Sequence, residues 1–230
     1  MVVGGDLRLK GKSSVRAYCE RLRTLFTTNI SDAMDRLNIC GNVMSPDIKP
    51  VISGMKVCGE AFTVRATRAI KGETLEEYVY FLKHLEKLPT GAVLVIDGKE
   101  CYDVALWGEL STNWAISKGL GGVVIDGRVR DIPRMTSLKF PVFARGSVPT
   151  DAVGRVGFTD INKPILCGNV IVKPGDIIFG DMDGVVVIPK SDIKKIVDLA
   201  EEIRSLEDKV RERLRSGDSL LTLVREFGVL

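Results

Sequence analysis

The segment Gly91-Ala-Val-Leu-Val-Ile-Asp-Gly98 and its later counterpart Gly121-Gly-Val-Val-Ile-Asp-Gly127 are continuous apolar runs that each end in Asp-Gly. Apolar runs without polar alternation suit strands buried on both faces, the pattern of parallel strands covered by helices. Between them, Glu109 to Lys118 has helical composition, and Gly119 is placed to end that helix. The unit reads strand, helix, strand, with the two strands parallel and adjacent and both Asp-Gly turns at one edge of the sheet. Ligands of open α/β sheets gather at that carboxyl edge.

On the N-terminal side, two helices are expected. The first runs from Ser13 to about Phe26, with Val15, Cys19, Leu22 and Phe26 on one face, and the second from about Ser31 to Leu37, with Ser13 and Ser31 as N-caps. Ala61 to Ala66 alternates like a strand, and a helix from about Thr74 to Leu88 follows. Beyond Pro141 the texture turns to short strands with Gly and Pro punctuation, at Pro141 to Arg145, Ile165 to Val172, Asp176 to Phe179 and Gly184 to Pro189. Ser191 to Arg215 carries apolar residues at helical spacing, from Ile193 to Leu214, opposite a densely charged face. The sum is a mixed α/β chain with a second sheet layered on the first, and one domain over residues 1–230.

Composition narrows the function classes. Lys plus Arg number 33 against 30 Asp plus Glu, and the basic residues alternate with acids, so the footprint of a nucleic-acid binder is missing. No stretch approaches the roughly 20 consecutive apolar residues of a membrane helix, and residues 1–12 lack a signal-peptide core, so a cytoplasmic protein without membrane contact is expected. The five cysteines never form a C-x-x-C pair, and most of them read as buried small hydrophobes. The single histidine, His84, lies in an apolar-periodic stretch and reads as structural or surface. Imidazole-based triads and zinc sites are thereby disfavoured, and any metal should be a hard one held by oxygens.

The stretch that carries chemistry is Trp107 to Asp131, Trp-Gly-Glu-Leu-Ser at its start and Gly-Arg-Val-Arg-Asp at its end. Gly108 precedes a helix whose free N–H groups favour a carboxylate. Arg130 offers a fork for a carboxylate or keto oxygen, and Asp131 can hold a hard divalent ion directly or through water. Against this stands the plainer reading of Arg130-Asp131 as a surface ion pair or as a helix N-cap before Ile132-Pro133. Other motifs are weaker. Gly11-Lys-Ser13 has Asp6 where a P-loop needs its first glycine, Gly119-Leu-Gly-Gly122 precedes a strand instead of a helix, and Gly180-Asp-Met-Asp-Gly184 reads as a tight hairpin turn, not a calcium loop.

These residues resemble the aldolase family of the regulator of ribonuclease activity A type, which includes 4-hydroxy-4-methyl-2-oxoglutarate aldolases. Its metal-dependent members carry an acidic residue at a fixed distance before Arg-Asp, matched here by Glu109, residues 110–129 and Arg130-Asp131, with Glu109 where Asp is more frequent. The resemblance extends to Thr28-Asn-Ile-Ser-Asp-Ala33, Pro174-Gly-Asp176, Gly180 to Pro189 and Glu207-x-Lys209. It implies a three-layer β/β/α sandwich of the swivelling-domain type and homotrimers or hexamers. It also implies a class II lyase that releases pyruvate from a 4-hydroxy-2-oxo acid and decarboxylates oxaloacetate. The backbone of Gly108, Glu109, Leu110 and Ser111 together with Arg130 would bind the 2-oxo acid, and Asp131 would hold Mg²⁺ or Mn²⁺, largely through waters. Glu207 would reach a neighbouring subunit's site, unless it merely pairs with Arg211 at i+4. Two rivals are a Schiff-base aldolase using Lys99 and a non-catalytic protein-binding regulator of a ribonuclease.

Overall fold

The structure, a computed structural model, describes residues 15–69 and 75–228. Its helices are α1 (residues 15–22), α2 (Thr27–Arg36), α3 (Leu75–Leu85), α4 (Glu109–Lys118), α5 (Ile132–Leu138), α6 (Ile193–Arg215) and α7 (Leu220–Phe227). The strands begin with β1 (Lys49–Pro50), β2 (Val57–Arg68), β3 (Val93–Asp97), β4 (Ala105–Trp107), β5 (Gly122–Asp126) and β6 (Arg128–Val129). They continue with β7 (Val142–Ala144), β8 (Val156–Thr159), β9 (Ile165–Cys167), β10 (Val170–Val172), β11 (Ile177–Asp181) and β12 (Gly184–Ile188).

β3 and β5 are parallel neighbours in register from Val93 opposite Gly122 to Asp97 opposite Asp126, so both Asp-Gly turns do lie at one edge. The main sheet runs β1-β7-β5-β3-β2-β11-β12, with β8 paired to the far half of β2. Its ends approach each other. Pro50 pairs with Phe143 at one margin, while the preceding segment crosses to the other, where the Met44 N–H donates to the Val185 carbonyl at 2.9 Å. The sheet thereby nearly closes on itself.

Near-closure explains why the apolar runs are continuous. Val93, Val95 and Val124 point into the sheet's interior with Phe143, Ile178 and Val185, while Leu94, Ile96, Val123 and Ile125 point outward beneath α3, α4 and α5. Each fully buried side chain of this size contributes on the order of 2 kcal/mol. On the other flank α1, α2 and α6 pack on β11 and β12 through Leu22, Ile30, Ile196, Ala200 and Phe179. Two faces of one curled sheet with helices outside match the expected β/β/α layering.

Several expectations are corrected. The first helix ends at residue 22 rather than near Phe26, and Phe26 is the N-cap residue of α2, with its ring under the Lys56 ammonium at 4.3 Å. α2 begins at Thr27, so Ser31 lies within it and is no cap. The reason is tertiary: the Asp181 carboxylate, at the end of β11, accepts from the Thr27 N–H at 2.8 Å and the Thr27 hydroxyl at 2.7 Å. Ser13 and Thr74 lie outside the described residues. Ile165 to Val172 is a hairpin, β9 and β10, turning at Gly168-Asn169, and Gly180 to Gly184 makes the expected hairpin turn between β11 and β12. β4, β6, β8 and α7 were not foreseen. No helix among the described residues is long and apolar enough to cross a membrane.

Candidate active site

The two Asp-Gly ends build a scaffold instead of the site. Asp126 is 1% exposed, ion-paired with Arg145, and accepts from the Gly168 N–H at 2.7 Å. Asp97 accepts from Arg65 Nε at 3.1 Å, and burial raises its pKa above the usual value, with the Lys99 N–H and Arg65 pulling the other way. A Cβ at Gly98 would lie 2.1 Å from Leu106 Cδ1, so glycine here lets β4 pass close to the turn.

β4 and β6 then pair in parallel and aim both halves of the Trp107–Asp131 stretch at one place. The Arg130 N–H donates to the Trp107 carbonyl at 2.9 Å, which fixes the Arg130-Asp131 dipeptide beside the start of α4. That start is itself locked, because the buried Trp107 indole donates to Thr112 Oγ1 at 2.8 Å and that hydroxyl donates to the Gly108 carbonyl at 2.9 Å.

Asp131 occupies the N-cap position of α5 in the left-handed region, at φ 61°, and its carbonyl accepts from Arg134 and Met135. Its carboxylate does not cap α5. Oδ2 reaches across to the Glu109 N–H of α4 at 3.2 Å. Arg130 lies between two carboxylates, with Nε 3.7 Å from Asp131 and Nη1 3.3 Å from Asp151. The plain reading is therefore half right: the ion pair exists and Asp131 stands at the N-cap position of α5, but its carboxylate hydrogen-bonds to α4 instead, beside a cavity.

That cavity is a cleft of about 520 Å³, lined by Gly108, Glu109, Leu110, Ser111, Arg130 and Asp131, the residues singled out in the sequence. Arg134 and Asp151 line it as well and escaped the sequence reading. Arg134 sits one turn into α5, a spacing from Asp131 that would have exposed it. Asp151 has no local signal, since a bridge pairing with Ala105 brings it in. The amides of Leu110 and Ser111, in the first turn of α4, have no acceptor within the helix and border the cleft. Glu109 accepts from the Asn113 side-chain amide.

Two other residues lie elsewhere. Lys99 opens a short 3₁₀ helix, Lys99–Cys101, and does not line the cleft. Glu207 accepts from Asn29 Nδ2 at 3.0 Å, with Arg211 at 3.9 Å, and it does not line the cleft of its own chain. His84 is half-buried and its ring contacts the Tyr80 carbonyl at 2.9 Å. Cys19, Cys58, Cys101 and Cys167 are buried and Cys40 is exposed.

No group of three or more His, Cys, Asp or Glu side chains among the described residues encloses a metal. The donor set fits a hydrated hard cation instead. Asp131 is 39% exposed, and its Oδ1 has no hydrogen-bond partner among the described residues, which leaves one carboxylate oxygen for an ion that keeps most of its waters.

The chain is 38% identical over 201 residues to a protein of Halalkalibacterium halodurans that carries the provisional name 4-hydroxy-4-methyl-2-oxoglutarate aldolase, covering 87% of this chain and 90% of that one. It is 34% identical to protein DlpA of Legionella pneumophila over 84% of its own length, but spans only 31% of DlpA. Among solved structures, RraAS2 of Streptomyces coelicolor, described as an unusual member of the RNase ES inhibitor RraA protein family, superposes with a TM-score of 0.74 at 26% identity. That match covers 85% of this chain and 96% of RraAS2. With the RraA-like family model, described as Aldolase/RraA, matching residues 27–187, the chain belongs to the RraA-like family.

Proposed function

We propose that the protein is a divalent-metal-dependent lyase that cleaves a 4-hydroxy-2-oxo acid to pyruvate and a carbonyl product, with oxaloacetate decarboxylation in the same site. The observation that carries this reading is the convergence of Arg130, Asp131 and the first turn of α4 on one cleft. Mg²⁺ or Mn²⁺ held by Asp131, largely through water, would supply Lewis-acid polarisation of the 2-oxo group.

The chain's own residues account for the rest. The Leu110 and Ser111 amides, at the positive end of α4, bind the substrate carboxylate. The Arg130 guanidinium faces the 2-oxo oxygen and stabilises the negative charge that develops there. In the retro-aldol step the C4 hydroxyl gives up its proton, the C3–C4 bond breaks, and its electron pair passes into the C2 carbonyl. A water held by Glu109 and Asp131 takes the hydroxyl proton, and protonation at C3 completes pyruvate. Decarboxylation of oxaloacetate generates the same charge at the same oxygen, with CO₂ in place of the carbonyl product. The homotrimer or hexamer implied by the resemblance goes with this reading and is open to sedimentation analysis.

The test is pyruvate release from a panel of 4-hydroxy-2-oxo acids and oxaloacetate, before and after chelation. Release that is lost on chelation and restored by Mg²⁺ or Mn²⁺ is expected. Full release from chelated protein overturns the metal-dependent reading. Capture of a ribonuclease partner by a chain that releases no pyruvate from any substrate would favour the regulator instead.

A further inference from the structure

A second cavity of about 300 Å³ adjoins the polar cleft, and the two share Leu106, Trp107, Leu110, Ser111 and Phe158. The second cavity has a different character. The Phe81 and Phe158 rings stack in it with centroids 3.8 Å apart and planes 10° from parallel. Among the described residues its only ionisable lining group is Glu86, which is paired with Lys118 and accepts from the Trp114 indole at 3.2 Å. Those two contacts hold Glu86 below the usual carboxylate value, so it is an anion at neutral pH.

We infer that this cavity receives the C4 substituent of the substrate, and that the substrate class is a 4-hydroxy-2-oxo acid with an apolar, aryl or branched alkyl, group at C4. The inference rests on the lyase reading of the polar cleft. A molecule anchored by its carboxylate and 2-oxo group at α4 and Arg130 extends its far end past Trp107 and Phe158 onto the stacked rings. A second carboxylate in that place would be desolvated against an apolar wall and would find no unmatched cation among the described lining residues, since the adjoining Lys118 is already paired with Glu86. An aryl group there buries apolar area on aromatic faces at no such cost. The cation open to a second carboxylate is Arg134, which lines the polar cleft and makes no ion pair among the described residues. The two placements make opposite predictions.

Binding separates them without turnover. Titration calorimetry with Mg²⁺ present, using the non-cleavable 4-phenyl-2-oxobutanoate and 2-oxoglutarate, is expected to show the phenyl compound bound at least about tenfold more tightly. Trp114→Ala should erase most of that preference, and Leu82→Arg, which puts a cation at the apolar end, should shift it toward 2-oxoglutarate. Tighter binding of 2-oxoglutarate by the unaltered protein, lost in Arg134→Met, overturns the inference. Pyruvate assays with the matching 4-hydroxy-4-phenyl and 4-hydroxy-4-methyl dicarboxylate substrates then keep the two readings apart. Preferred cleavage of the dicarboxylate sinks the inference and leaves the lyase. Tight phenyl binding with no pyruvate from either substrate sinks the lyase and leaves the apolar subsite. Binding of neither oxo acid overturns both.

Discussion

The Oδ2 atom of Asp131 accepts a hydrogen bond from the Glu109 backbone at 3.2 Å, so a carboxylate at the head of α5 caps the neighbouring helix α4. It takes one of the free amides of α4 and leaves those of Leu110 and Ser111 for a ligand. Structure and chemistry meet in this one side chain, and substitutions can part them. Asn at 131 tolerates the left-handed backbone and still offers an oxygen to Glu109, but has no charge for a cation. Asp131→Asn should melt within a few degrees of the parent while pyruvate release falls at least about a hundredfold. Asp131→Ala should lose activity and in addition about 1 kcal/mol for the cap, plus a backbone cost of similar size. Undiminished turnover in Asp131→Asn would reduce the carboxylate to a cap.

Gly108 is required by proximity and not by its dihedrals, since its φ of −157° is extended backbone that any residue adopts. A Cβ there would sit 2.7 Å from Asp131 Oδ2 and 3.2 Å from Arg130 Cγ. Gly108→Ala should therefore push both site residues outward together, lowering kcat/KM by about tenfold to a hundredfold with little change in melting temperature. Combined with Asp131→Asn it should cost less than the sum of the two, because both act on one group. Strict additivity would refute the shared origin.

Thr112 is fully buried, and its hydroxyl serves the Trp107 indole and the Gly108 carbonyl at once. Thr112→Val keeps the shape and strands the indole N–H, at a cost of about 1–3 kcal/mol in chemical denaturation. The loss should carry into KM as well, because the same hydroxyl fixes the turn that presents the α4 amides. A neutral Thr112→Val would mean the indole finds another acceptor.

How much of this was legible follows from where each signal lives. The two apolar runs announced buried parallel strands because both of their faces are covered, and Gly119 announced a helix end that it makes at φ 67°. The site residues of the Trp107–Asp131 stretch were visible because one supersecondary unit carries them all. Features set by distant partners were not. The start of α2 depends on Asp181, Asp151 enters through a bridge to Ala105, and the three-residue β4 is too short to show a period. The apolar end of the cleft is drawn from α3, β3, β4, α4 and β8, and no local pattern assembles those.

Acid sensitivity should centre on the clasp between α1 and α6. Lys194 and Arg21 hold the Asp198 carboxyl below its usual value, and Arg21 does the same for Glu201, which it meets at 2.6 Å. Carboxyls with lowered folded pKa values contribute stability that is complete above the ordinary carboxylate range and lost as pH falls through and below it. Arg21→Met should thus lower the melting temperature most near neutrality, with the gap to the parent narrowing below about pH 4. These groups are more than a third exposed or close to it, so the effect is modest and shrinks in high salt. A gap that stayed constant with pH would place the Arg21 contribution in packing instead of charge.

Arg130 is aimed by its neighbours, with Asp151 3.3 Å from Nη1 and Asp131 3.7 Å from Nε. Two carboxylates flank the guanidinium within ion-pair distance, and a planar fork can meet a carboxylate or keto oxygen in only a few ways. Lysine supplies the charge without the plane. Arg130→Lys should raise KM for the 2-oxo acid and lower kcat/KM by about tenfold or more. Asp151→Asn, which keeps the cation and loosens its aim, should lower kcat/KM less, and in the Arg130→Lys background it should do almost nothing further. If Asp151→Asn costs as much in that background as alone, Asp151 acts on the substrate directly and not through Arg130.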